Sequence, residues 1–137
     1  MTWGTVYSGL VGYLETALGG VSGVSVYTGT PPLALNFPCA VINPSAVRMR
    51  ILDYDAYRAE AGFDVMVFVR DVNPSDWVSE VCSVLNSCLD AIIEDRTMGG
   101  YAQDIHEADY VPGEIRFSSK IFYGGVLRVR CWLRYEP

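Results

Sequence analysis

At 137 residues, half of them hydrophobic and only 19% charged, with a mean hydropathy of +0.19, the chain is expected to form one domain (1–137) with a real core. It is also apolar for a protein that keeps its whole surface in water, so part of that surface is expected to be covered by other subunits. A net charge of −6 with a single lysine disfavours tight nucleic-acid binding; the lack of any apolar run near the roughly 18 residues of a membrane span, and of signal-peptide features after Met1, points to the cytoplasm of the cell that makes it.

In chain order, Trp3, Val6, Tyr7, Leu10, Tyr13, Leu14, Ala17 and Leu18 recur at three and four, which predicts an amphipathic helix over Trp3–Leu18 stopped by Gly19-Gly20. The other side of this helix carries small groups, Thr5, Ser8, Gly9, Gly12 and Thr16, and suits close packing better than solvation. Val24–Tyr27 reads as a short strand broken by a turn at Thr28–Pro32. Phe37–Ile42 reads as a strand entered through Pro38, interrupted at Asn43-Pro44-Ser45. Val47–Tyr57 mixes charged and apolar residues and fits either an extended hairpin tip or a mobile loop. Ala59–Arg70 alternates cleanly, with Ala61, Phe63, Val65, Val67 and Val69 on one face.

A second helix is predicted from Asn73 as N-cap and Pro74 at the first helical position to Met98-Gly99-Gly100, with Trp77, Val81, Val84, Leu85, Cys88, Leu89 and Ile92 as its apolar stripe. An irregular strand over about Gln103–Val111 should end in a turn at Pro112-Gly113. Lys120–Tyr135 is the longest alternating segment: Ile121, Tyr123, Leu127, Val129, Cys131, Leu133 and Tyr135 face one way, and Phe122, Val126, Arg128, Arg130, Trp132 and Arg134 the other. Gly124-Gly125 within it marks a bend or bulge. The whole reads as α+β: an antiparallel sheet flanked by two main helices, in the order α-β-β-β-α-β-β.

Charge is segregated along the chain. Residues 1–47 hold one charged side chain, Glu15, while residues 71–114 hold ten acidic ones against Arg96. From residue 115 onward Arg116, Lys120, Arg128, Arg130 and Arg134 face Glu136. Two solvated faces of opposite sign would account for this; so would a basic face of one copy meeting the acidic face of the next, the head-to-tail contact that closes a ring.

Motifs for chemistry are sparse. His106, the single histidine, stands in Asp104-Ile105-His106-Glu107, where alternation puts Asp104 beside it; without a third local ligand or an i, i+4 partner it reads as an exposed strand residue rather than a metal ligand. The glycine pairs do not lead from a strand into a helix as a phosphate loop requires, and no nucleophile elbow occurs. Cys82 and Cys88, six apart on one predicted helix, are about 9 Å apart along the axis and rotated by about 240°, beyond the Cα separation of about 7 Å that a disulfide tolerates. Four free thiols acting as small hydrophobes are expected. No enzyme activity and no cofactor is predicted.

The first helix, the Pro38-Cys39-Ala40-Val41-Ile42 strand, the long Tyr57–Arg70 strand, the acidic helix of residues 74–97 and the final strand from Tyr123-Gly124-Gly125 to Trp132-Leu133-Arg134 together resemble the tail terminator or tail-completion proteins of long-tailed bacteriophages, of the minor tail protein U type. The resemblance spans nearly the whole chain. It implies a hexameric ring that caps the tail tube, stops its polymerisation and receives the head connector. The implied partners are further copies of the chain, the tail tube protein, the head-closure or connector protein and the tape measure protein, with DNA passing through the lumen without specific binding; the implied location is the neck end of the tail in the virion. Under this reading Arg128, Arg130, Trp132, Arg134, Glu94 and Asp95 are candidates for the subunit interface, and Arg48, Arg50, Asp53, Tyr54, Asp55 and Tyr57 for a loop reaching an adjacent ring. The alternatives are another neck or head–tail connector protein, or, in a different class, a small ligand-binding or enzymatic domain centred on His106, Asp104 and Trp132.

Overall fold

In the computed structural model, which describes residues 3–21, 23–28, 38–51, 57–70, 77–117 and 120–133, the chain runs α1 (Trp3–Gly19), β1 (Ser25–Thr28), β2 (Cys39–Ile51), β3 (Tyr57–Arg70), α2 (Trp77–Ile93), β4 (Ala102–Phe117) and β5 (Lys120–Leu133). This is the expected α+β order. The strands form one sheet, β1-β2-β3-β5-β4. Three pairings are antiparallel, but β1 lies parallel to β2, so the sheet is mixed at that edge. Of the turn expected at Thr28–Pro32, residues 29–32 lie outside the described residues.

Both helices cover the same face of the sheet. Val6, Leu10, Leu14 and Leu18 of α1 recur every four residues and are fully buried, as are Val81, Leu85, Cys88 and Ile92 of α2. They meet the inward residues Phe63, Val65 and Val67 of β3 and Leu127, Val129 and Cys131 of β5. Each such aliphatic or aromatic side chain contributes about 1.5–3 kcal/mol when withdrawn from water, so this layer holds the fold together. Two tyrosines orient α1 upon it. Tyr7 stacks on Phe63 at 4.9 Å between ring centroids and donates a 3.3 Å hydrogen bond to the Gly62 carbonyl, while Tyr13 donates at 2.8 Å to the Ile92 carbonyl near the end of α2. A smaller core, Cys39, Val41, Phe68 and Phe122, lies on the opposite face, with the two phenylalanine rings edge to face at 5.4 Å.

Two expected breaks do not interrupt their strands. Asn43-Pro44-Ser45 does not interrupt β2: the strand runs through it, and a register shift between Pro44 and Val47 absorbs the irregularity. Pro112-Gly113 is not a turn either. Pro112 pairs with Gly125 and Gly113 with Gly124 inside β4, and the proline is tolerated because β4 is an edge strand. The opposed glycines let the strands crowd together there: a Cβ on Gly124 would collide with the Val67 carbonyl, and one on Gly125 would sit 2.6 Å from the Val111 carbonyl.

The second helix ends at Ile93, before the expected Met98-Gly99-Gly100 stop. The Asp95 carboxylate ends it by accepting from the Thr97 amide at 2.9 Å, the Thr97 hydroxyl at 2.6 Å and the Gly99 amide at 3.0 Å. Buried Met98 then adopts a left-handed φ of 49° and the chain turns into β4. The expected N-cap, Asn73-Pro74, lies outside the described residues.

Candidate interaction surface

Away from the small core, the face opposite the helices is charged, and the register of the sheet decides how the charges meet. Trp132 lies between Glu60 of β3 and Asp104 of β4; Arg130 between Gly62 and Glu107; Arg128 between Asp64 and Asp109. The separation of acid and base along the chain is therefore lost in space. The basic strand β5 sits beside the acidic strand β4, and Arg130 approaches Glu107 at 3.9 Å. Arg128 and Arg130 occupy an internal strand with carboxylates beside them, not a separate basic face as the sequence order suggested.

Of the other interface candidates, Glu94 is exposed after α2 and Arg134 lies outside the described residues. Asp95 is engaged in its own turn, where the hydrogen bond from the Thr97 hydroxyl, with those from the Gly99 and Thr97 amides, holds its pKa below the usual carboxylate value. Arg96 grips Asp104 in a two-pronged pair at 2.7 Å and 2.7 Å and reaches the Ile105 carbonyl at 3.3 Å.

His106 is an exposed residue of β4, as expected, but it has partners the sequence did not show. The register shift between Ile105 and Glu107 makes it the extra residue of a bulge, and its ring stacks on Trp132 at 4.6 Å, reaching over β5 so that Nε2 lies 2.8 Å from Oε2 of Glu60. Its side chain is 26% exposed, held by these two contacts. Asp104, expected beside it, belongs to Arg96 instead. Glu60 is 7% exposed and is the buried charged residue among the described ones. Sequence reasoning passed over it because it occupies an ordinary polar position of an alternating strand; nothing local marks a carboxylate whose partner lies 46 residues further on, at His106. No group of three metal-ligating side chains occurs among the described residues. An open groove of about 500 Å³ between the end of α1 and α2, lined by Val21, Val24, Val84 and Ala91, has Asp90 as its ionisable group.

Of the segment Val47–Tyr57, residues 47–51 and Tyr57 are among the described residues. β2 continues to Ile51 and β3 starts at Tyr57, paired Val47 with Ala61, Arg48 with Glu60, Met49 with Ala59, Arg50 with Arg58 and Ile51 with Tyr57. It is thus the far half of a long hairpin. Arg48 is exposed, and Val47 and Met49 are 51% and 53% exposed. Asp53, Tyr54 and Asp55 lie outside the described residues.

No protein-family model matches the chain, and no curated protein does. Among solved structures it is similar to a chain of the virion of a native gene transfer agent particle, with TM-score 0.51 and 17% identity over 93% of this chain and 91% of that one. It is also similar to the gp17 protein of bacteriophage SPP1, with TM-score 0.50 and 14% identity over 96% of this chain and 91% of that one. At such identities the likeness is one of fold, and what it shows is that this chain has the fold of proteins from phage and phage-like particles.

Proposed function

We propose that this chain is a structural protein of a phage virion, the tail terminator, whose copies form a hexameric ring that caps the tail tube, stops its polymerisation and offers a docking surface to the head connector. The observation that carries the reading is the fold likeness, which extends over more than nine tenths of this chain and of each particle protein it resembles. The rest of the molecule suits the role. Its charged sheet face carries the Arg130–Glu107 and Arg96–Asp104 ion pairs, and its long β2–β3 hairpin presents exposed Val47, Arg48 and Met49 to a neighbour. A tube grown from identical rings presents the same edge after every addition, so its length is controlled by a ring whose outer side does not repeat the tube surface. The partners on this reading are the tube protein, the connector and the tape measure protein, and the acidic balance of the chain lets DNA pass without adhering.

Electron microscopy of particles from a phage lacking this gene tests the proposal. The expected result is intact heads and unjoined tubes of abnormal length. Joined tails of normal length would rule the role out, and tailless heads beside normal free tails would assign the protein to the head side of the neck.

A further inference from the structure

Among the described residues, two edges of the sheet are open, on opposite sides of it. On one side β1 pairs with β2 only over Cys39–Ile42, so that among the described residues no strand pairs with the outer side of Val47–Ile51. On the other side β4 ends the sheet, and no described strand lies beyond it. A strand edge with unpaired N–H and C=O groups is a template for another strand. Parts of β4 are blunted: register shifts fall around Gln103 and His106, and Pro112 has no N–H to donate. Between the second shift and the proline lies a regular stretch, Glu107–Val111, of the same length as Val47–Ile51.

The two stretches complement each other on both faces of the sheet. Arg48 is in register with Glu60, hence on the face that carries Trp132, Glu107 and Asp109. Val47 and Met49 are in register with Ala61 and Ala59 on the helix-covered face, where Ala108 and Tyr110 of β4 pack against the main core. Residues 39–51 contain Arg48 and Arg50 and no acid, whereas residues 107–111 contain Glu107 and Asp109 and no base. Glu107 keeps 44% of its side chain exposed beside Arg130, and Asp109 is exposed too, so both have a side open to a second cation. Opposite charges in facing positions of paired strands are favourable, and like charges are not.

Strand sense agrees as well. Successive antiparallel pairings, β2 with β3, β3 with β5 and β5 with β4, leave β2 and β4 running in opposite directions, so a second copy added to continue the sheet sets its β2 antiparallel to the first copy's β4. The contact joins different patches on the two copies, which makes it heterologous and able to close a ring. We propose that copies of this chain join edge to edge, Val47–Arg50 of one pairing with Glu107–Tyr110 of the next, the antiparallel register that sets Arg48 opposite Asp109 and Arg50 opposite Glu107. This rests on the ring reading above and replaces β5 by β2 as the basic side of the contact, because Arg128 and Arg130 lie on an internal strand.

Light scattering on the full chain tests it with two charge-reversal pairs, Arg48→Glu with Arg50→Glu, and Glu107→Lys with Asp109→Lys. Wild type is expected at a multiple of its 15.1 kDa mass. Each pair alone should fall to the monomer mass with an unchanged circular dichroism spectrum, while an equimolar mixture of the two variants, whose edges are again complementary, should recover the assembled mass. If a reversal unfolds the chain, Arg48→Gln with Arg50→Gln should show the same loss. Wild type that assembles and is indifferent to both pairs, or a loss that mixing does not repair, overturns the edge contact and leaves the ring reading standing. Wild type that stays monomeric at every concentration and in the presence of tail tubes overturns both.

Discussion

Asp95 and Glu94 are neighbours of the same charge with opposite fates. Asp95 carries three hydrogen bonds on its carboxylate, whereas Glu94 is exposed. The bonds from Thr97 and Gly99 stabilise the ionised form, so the folded pKa lies below its ordinary value of 3.8. A depressed carboxylate pKa adds stability that is complete above the unfolded value and disappears as the pH falls through the folded one. Asp95→Ala is therefore expected to lower the melting temperature at pH 7, with the difference from wild type shrinking below about pH 4, the carboxylate range. Glu94→Ala should leave it nearly unchanged. Equal melting temperatures for the two variants in thermal circular dichroism would show that the Asp95 turn does not hold the end of α2. The residue scale is also where sequence reading reached least far: the partners of Glu60, His106 and Asp104 depend on a bulge and on which strand lies between two others, and neither leaves a mark within a few residues of the side chains concerned.

Element type and order were legible because periodicity is a local consequence of burying one face. The four-residue recurrence from Val6 to Leu18 and the alternation from Ala59 to Val69 both reappear as core. Proline and glycine misled where a neighbouring strand made room for them, at Pro44 and at Pro112-Gly113. The glycines of α1 show the same limit, since the small-residue side of this helix has a packing reason at one position and none at another. A Cβ on Gly9 would collide with the ring of Tyr101, while one on Gly12 meets nothing within 4 Å. Gly12→Ala removes the backbone freedom that glycine must lose on folding and should stabilise the chain by about 0.5–1 kcal/mol. Gly9→Ala gains the same helix propensity yet should destabilise the protein, because a partly buried aromatic ring has to move. Urea denaturation of the two variants decides: a shift of the midpoint in the same direction for both would mean that the Tyr101 contact does not constrain α1.

For the molecule as a whole, the sheet has a core on each side, and β2 and β3 supply both. Ala40 and Ile42 point into the helix-covered core and Cys39 and Val41 into the smaller one, so neither layer can come apart without disturbing strands that the other needs. The cysteines report on this. All four are free, with Cys88 and Cys131 buried in the main core and Cys39 in the small one, while Cys82 is partly exposed. Burial pushes the Cys39 and Cys88 thiols up to about 11 and the Cys131 thiol up to about 12, from an ordinary 9.0. These groups are held neutral in the folded state, so the stability tied to them is fully present below pH 9 and declines as the pH rises toward their folded values. At pH 8 the thiolate, which is the reacting species, is scarce at all three buried sites. A thiol reagent is thus expected to modify Cys82 first. The other three should react only through opening of the fold, at rates that rise together as denaturant is added, because the shared strands make the two cores one cooperative unit. Mass spectrometry of the labelled peptides resolves the sites individually. Labelling of Cys39 at denaturant concentrations that leave Cys88 and Cys131 protected would show that the small core opens separately and that β2 and β3 do not couple the two faces.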